Sequence, residues 1–216
     1  SAQVREAAAR AGHAATDDYD GARQEGFARG DVAIDARGRR SSTARAYLHP
    51  VRHRPNLQVL TQAQAERVLI DNGRATGLAF RQAGVARTVR ARREVILCGG
   101  TYSSPQLLML SGIGPADELR RHGLAVQADL PGVGGNLIEH PRMPLQYRAS
   151  QPVTFTNQLR ADRAVGSALR WALTGGGPFA TQICSGTVLL RTDPALDRPD
   201  FQLLCNPVRV DAGLWF

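Results

Sequence analysis

The chain is predicted to be a mixed α/β protein, and three patterns carry that expectation. Between Asn56 and Arg90, short strand-like segments are separated by tight turn sequences, which reads as an antiparallel meander. From Arg93 to Gly123, an apolar run, a glycine pair and two helical stretches follow one another. Past Pro144, a long helical stretch precedes two further apolar runs, the pattern of a second sheet.

Taken in order, SAQVREAAARAG is alanine-rich and reads as a helix stopped by Gly12. A turn-rich stretch follows through Asp17, Asp18, Asp20 and Gly21. Ser41 or Ser42 then suits the N-cap of a short helix over Thr43–Leu48, ended by Pro50. Strands are expected at Leu57–Leu60 and Glu66–Ile70. Asp71-Asn72-Gly73 is a hairpin signal leading into Ala75–Arg81, which pairs with Val85–Arg90 across Ala83-Gly84. Glu94–Cys98 is continuous and apolar, the texture of a strand buried on both faces of a parallel sheet.

Gly99 and Gly100 break that strand, and Ser104-Pro105 is expected to cap and open a helix closed by Ser111-Gly112. A second helix opens at Pro115, carries Asp117 and Glu118 first and Arg120, Arg121 and His122 last, and stops at Gly123. That charge order suits the helix dipole. Beyond it, Leu145–Arg148 reads as a strand, Gln158–Leu173 as a helix, and Ile183–Arg191 and Phe201–Cys205 as strands.

Composition excludes several classes. Of 216 residues, 43% are hydrophobic and 21% charged, which is globular and not disordered. No apolar run approaches the roughly 20 residues of a membrane helix, and no secretory leader is visible. The three cysteines, Cys98, Cys184 and Cys205, suit a reducing cytosol better than a disulfide framework or metal cluster. All 27 basic residues are arginine, giving a net charge of +8. They are scattered, and the 6 Phe, 4 Tyr and 2 Trp do not interleave with them. Nucleic-acid binding is therefore not expected.

A strand, a glycine pair and a helix start allow backbone to approach a ligand and offer free N–H groups to an anion. On pattern alone a plain tight turn explains the glycines equally well. No G-x-G-x-x-G fingerprint is present; Gly132-Val133-Gly134-Gly135 comes nearest and reads as a loop. The five histidines lack metal-ligand spacing, with His122 placed to cap a helix and His140 even between a structural and a site-lining role. No Ser-His-Asp arrangement can be assembled.

The stretch Gly100-Thr101-Tyr102-Ser103-Ser104-Pro105-Gln106-Leu107-Leu108-Met109-Leu110-Ser111-Gly112-Ile113-Gly114-Pro115 resembles a signature of the glucose–methanol–choline (GMC) oxidoreductases. Gly38 to Leu48, Arg54-Pro55-Asn56-Leu57, Leu130 to Leu137, His140-Pro141, Gly177-Pro178 and Pro199-Asp200-Phe201-Gln202 match that family in order as well. In texture the chain is similar to the bacterial choline-dehydrogenase-like branch.

The resemblance implies part of a Rossmann-like FAD-binding domain over 51–144 and part of an antiparallel-sheet substrate domain over 145–216. Residues 1–50 would connect them and belong partly to the substrate domain. FAD is the implied cofactor, and hydride transfer from a primary or secondary alcohol, choline included, is the implied reaction. Cys98, Gly99, Gly100 and Thr101 match the turn lying against the adenosine part of FAD. Ala65 stands where valine usually meets adenine through its backbone. Asn136, His140 and Pro141 match a loop near the flavin, with Gly135 and Glu139 departing from the usual glutamate and aspartate.

The family's N-terminal fingerprint and C-terminal catalytic histidine find no counterpart, so the chain is expected to be an internal fragment, inactive alone. A bacterial cytoplasmic location is expected, with a peripheral inner-membrane position as its alternative. A self-associating interaction module and a cyanohydrin lyase on the same fold are the competing functions.

Overall fold

A computed structural model describes residues 2–151, 154–180 and 184–208. In chain order the helices are α1 (Ala2–Arg10), α2 (Gly100–Leu110), α3 (Ala116–Arg121) and α4 (Ala161–Thr174). The strands are β1 (Gly26–Ala28), β2 (Ala63–Asp71), β3 (Arg74–Gln82), β4 (Val85–Arg90), β5 (Ile113–Gly114), β6 (Ala128–Asp129), β7 (Gly186–Leu190) and β8 (Phe201–Cys205). The chain forms two compact units, one comprising residues up to His53 together with those from Pro144 onward, the other Arg54–Met143.

The first unit is built on an antiparallel sheet of order β1-β7-β8, with Phe27 opposite Val188 and Leu189 opposite Gln202. Phe27, Val188 and Ala8 of α1 are buried together, with Val4 and Leu190 packed against them. Gly186 is required here, because a Cβ would collide with the Phe27 ring. An ion pair from Arg191 to Glu25 at 2.8 Å ties the residue after β7 to the residue before β1. The Trp171 indole N–H of α4 donates to the Gly38 carbonyl at 2.9 Å. On the opposite side of α4, Val165, Leu169 and Leu173 are 63%, 58% and 83% exposed, so its apolar stripe faces outward.

The second unit contains the meander β2-β3-β4, joined by turns at Asn72-Gly73 and Ala83-Gly84 in which all four residues have positive φ. Those φ values give the turn twist that matches paired strands. Val68 and Phe80 are buried on the sheet, and α2 packs against β2. β5 and β6 make a short parallel ladder, Ile113 with Ala128 and Gly114 with Asp129.

Several expectations are corrected. Leu57–Leu60 and Glu94–Cys98 are in no sheet: no strand among the described residues pairs with either, and Ile96 is 72% exposed. An apolar run registers the need for burial but not where the covering partner comes from. Leu145–Arg148 is irregular for the same reason, with Leu145 and Tyr147 exposed. The helix expected from Gln158 is instead a 3₁₀ turn over Phe155–Gln158 followed by α4, which starts at Ala161. Pro50 lies inside a 3₁₀ turn, His49–Val51, since proline's fixed φ suits a first turn. β1, β5 and β6 had no local signal, being two or three residues long. Ile183 lies outside the described residues; the strand it was expected to open begins at Gly186.

Candidate functional site

The Gly99-Gly100 turn opens α2 four residues before the expected Ser104 start. Gly100 has φ +81°, a left-handed value that side chains rarely adopt, and nothing within 4 Å of where its Cβ would be. The glycine is thus demanded by conformation and leaves open space in front of the backbone. Ser104 sits within α2, where its hydroxyl oxygen accepts from the Gly99 N–H at 3.0 Å. It locks the turn from inside the helix instead of capping it. Pro105 is also inside α2, so it withholds the N–H that would have bonded the Thr101 carbonyl. Cys98, Gly99, Gly100 and Thr101 are all exposed, Cys98 contrary to the buried strand expected for it. First-turn N–H groups of a helix of this length present partial positive charge to whatever approaches them.

Ala65 lies on β2, half-buried and opposite Phe80, beside an irregularity at Glu66 where the register shifts. Such a bulge turns the local backbone away from ladder pairing. The tie between β2 and α2 is at the far end of the helix, where the buried Val68 N–H donates to Ser111 Oγ at 2.8 Å and that hydroxyl donates to the Leu107 carbonyl at 2.6 Å.

Asn136 has φ +54° and follows a turn at Pro131–Gly134. That loop leans on α2: a Cβ on Gly134 would lie 3.3 Å from Met109 Cε and 4.0 Å from Pro105 Cβ. A Cβ on Gly114 would lie 2.8 Å from Met109 Cγ, so the Met109 side chain fills the space between the two glycines. The structure therefore brings the 98–101 turn, β2 and the loop leading to Asn136 onto one helix. His140 and Pro141 are exposed, and His140 donates its N–H locally to Glu139 at 3.1 Å. No hydrogen bond among the described residues ties these two to α2.

Three residues that position this region escaped sequence reasoning. Ser111 was legible only as a helix end. Met109 was given no positioning role by the sequence. Asp129 accepts from the Ala116 N–H at 3.0 Å and so caps α3 from thirteen residues away, where no local motif announces it. His122 does close α3, with its N–H on the Glu118 carbonyl and its ring on Glu118 Oε1 at 3.0 Å. Among the described residues no group of three or more His, Cys, Asp or Glu could hold a metal ion. No described helix is long and apolar enough to cross a membrane.

The backbone of the turn is exposed, with open space at Gly100 alone, because a Cβ on Gly99 would lie 3.1 Å from Ser103 Cβ; first-turn N–H groups of a helix favour an oxygen-rich ligand. The fold is mixed α/β, with an exposed glycine turn opening a helix. The sequence profile of GMC oxidoreductases matches residues 1–142, and the chain belongs to that family. It is 42% identical over 208 residues to an oxygen-dependent choline dehydrogenase of Ectopseudomonas mendocina, and 41% identical over 206 residues to one of Burkholderia pseudomallei. These matches cover 95% of this chain but 37% and 36% of those relatives.

Among solved structures it resembles an Aspergillus oryzae formate oxidase studied for FAD modification, with TM-score 0.81 and 26% identity over 92% of this chain and 38% of that one. An FAD-dependent oxidoreductase from Chaetomium thermophilum gives TM-score 0.77 and 27% identity, covering 86% and 33%.

Proposed function

We propose that this chain is part of a flavin-dependent, alcohol-oxidising enzyme of the choline-dehydrogenase type, with FAD as cofactor and a small primary or secondary alcohol as substrate. Choline is the first alcohol to test. The observation that carries the reading is the exposed turn at the start of α2, with open space at Gly100, in a chain whose relatives include choline dehydrogenases. Bound FAD would supply the acceptor for the hydride leaving the alcohol carbon.

The work of these residues is to hold and orient that group. Cys98, Gly99, Gly100 and Thr101 would line its adenosine part, with Ala65 offering backbone to the adenine. Asn136, His140 and Pro141 would pack near the flavin. No side chain here is assigned to remove the alcohol proton; that base is proposed to lie in the part of the relatives this chain does not span. Residues 51–144 would serve the cofactor domain and 145–216 the substrate domain, with 1–50 connecting them. A bacterial cytoplasmic enzyme, or one held peripherally at the inner membrane, is the setting that fits.

The test compares the 216-residue chain with a polypeptide of its relatives' full length that contains it. The long form should carry a flavin absorbance band and reduce a dye acceptor with choline, while the short form should be colourless and inactive. Dye reduction by the short form would overturn the division of labour. A long form without flavin would overturn the reading altogether.

Self-association is a second reading, favoured by the outward apolar stripe Val165, Leu169 and Leu173. Sedimentation of the chain alone tests it, and a clean monomer would remove it.

A further inference from the structure

The outer edge of β2 has features that the cofactor site does not use. β2 pairs with β3 on one side only. On its other side the Val68 N–H is taken by Ser111. Strand alternation turns the Ile70 N–H and C=O the same way, and no backbone partner outside the meander meets them among the described residues. Exposed edge groups of this kind are a template for another strand.

Alongside that edge runs a groove of about 630 Å³, bounded by residues 67–71 of β2 and by the segment at 123–127. Arg67 lines it from β2 and Arg90 from β4. Arg90 Nη1 donates to Thr76 Oγ1 at 3.5 Å, and Thr76 in turn donates to the Leu69 carbonyl, so the guanidinium reaches across β3 toward β2. Neither arginine has a carboxylate within ion-pair distance among the described residues. Asp71, at the hairpin end, is the one carboxylate in the lining.

We propose that this groove binds an extended acidic peptide, which adds to β2 at Ile70 through its backbone and sets carboxylates against Arg67 and Arg90. Ile70 supplies the open N–H and C=O of this edge, so the peptide pairs there and its flanking residues lie along the groove. Ser111 fixes the register, because it fills the place of a partner carbonyl at Val68 and leaves Ile70 open. A second copy of this chain is a poor occupant: at a net charge of +8 it offers the wrong sign.

The whole chain is titrated with fluorescein-labelled Glu-Val-Glu-Val-Glu and binding is read by anisotropy. Three competitors are used: Lys-Val-Lys-Val-Lys, the acidic peptide N-methylated on alternate amides, and a short oligothymidine. The acidic peptide should bind and the lysine peptide should not displace it. Arg67→Glu and Arg90→Glu should each weaken binding about tenfold or more, with the circular dichroism spectrum unchanged. N-methylation should abolish binding, since it removes the strand pairing. Absence of binding, equal binding of the N-methylated peptide, equal displacement by oligothymidine, or indifference to both substitutions would each overturn the proposal.

Discussion

The buried backbone N–H of Val68 donates to the side chain of Ser111, 43 residues further on, at 2.8 Å. One hydroxyl thus serves two structures. It satisfies an edge-strand donor that β3 cannot reach, and it donates to the Leu107 carbonyl at 2.6 Å to close the last turn of α2. The helix carrying the glycine turn at one end is anchored to the meander at the other.

Ser111→Ala should therefore destabilise the Arg54–Met143 unit by about 1–3 kcal/mol, because a buried N–H loses its acceptor. Urea denaturation of the wild type and variant checks it. A change within about 0.5 kcal/mol, the range of an ordinary surface substitution, would show that Ser111 is not the anchor.

Gly100→Ala and Gly112→Ala separate strain from collision. Both glycines have positive φ, +81° and +82°. At Gly100 a Cβ meets nothing within 4 Å, so the cost is conformational strain alone, about 1–2 kcal/mol. At Gly112 it would also collide with the Ala125 carbonyl. Thermal melts should rank the Gly112 variant clearly below the Gly100 variant, and the reverse order would contradict the geometry.

Asp129→Ala should cost about 0.5–2 kcal/mol by uncapping α3, while Asp129→Asn should retain much of that, since an amide oxygen can still accept from Ala116. Equal losses in the two variants, measured by denaturant titration, would count against the cap.

Acid should loosen the β1-β7-β8 unit through two carboxylates held below their usual range. Glu25 is held down first by its hydrogen bond from Arg191, and Asp200 first by that from the Thr192 hydroxyl. Folded values below unfolded ones mean that their contribution is complete above the unfolded values, near pH 4, and lost as pH falls through the folded values. Glu25→Gln should flatten the stability profile below about pH 4. An unchanged acid limb would remove Glu25 as a cause.

How much of this was legible in the sequence depended on where each signal resides. Asn72-Gly73 and Ala83-Gly84 placed the strand ends beside the two turns to within a residue, because turn chemistry is local, whereas the far end of β2 begins three residues before its expected start. Gly112, Gly123 and the charge order of residues 117–122 likewise placed the ends of α2 and α3. The GMC motifs named the family, which the profile match over residues 1–142 shows.

What the sequence alone determined was the set of elements that carry their own punctuation: glycine at positive φ, capping charge, hairpin turns and the two-residue alternation of strands. Only the tertiary structure decided which apolar runs find a partner. It left Glu94–Cys98 and Leu57–Leu60 without a strand partner among the described residues, turned α4's stripe outward, and gave Ser111, Met109 and Asp129 their positioning roles. The physical reason is range: a turn is settled among four neighbouring residues, whereas burial and a hydrogen bond spanning 43 residues exist only once distant segments have met.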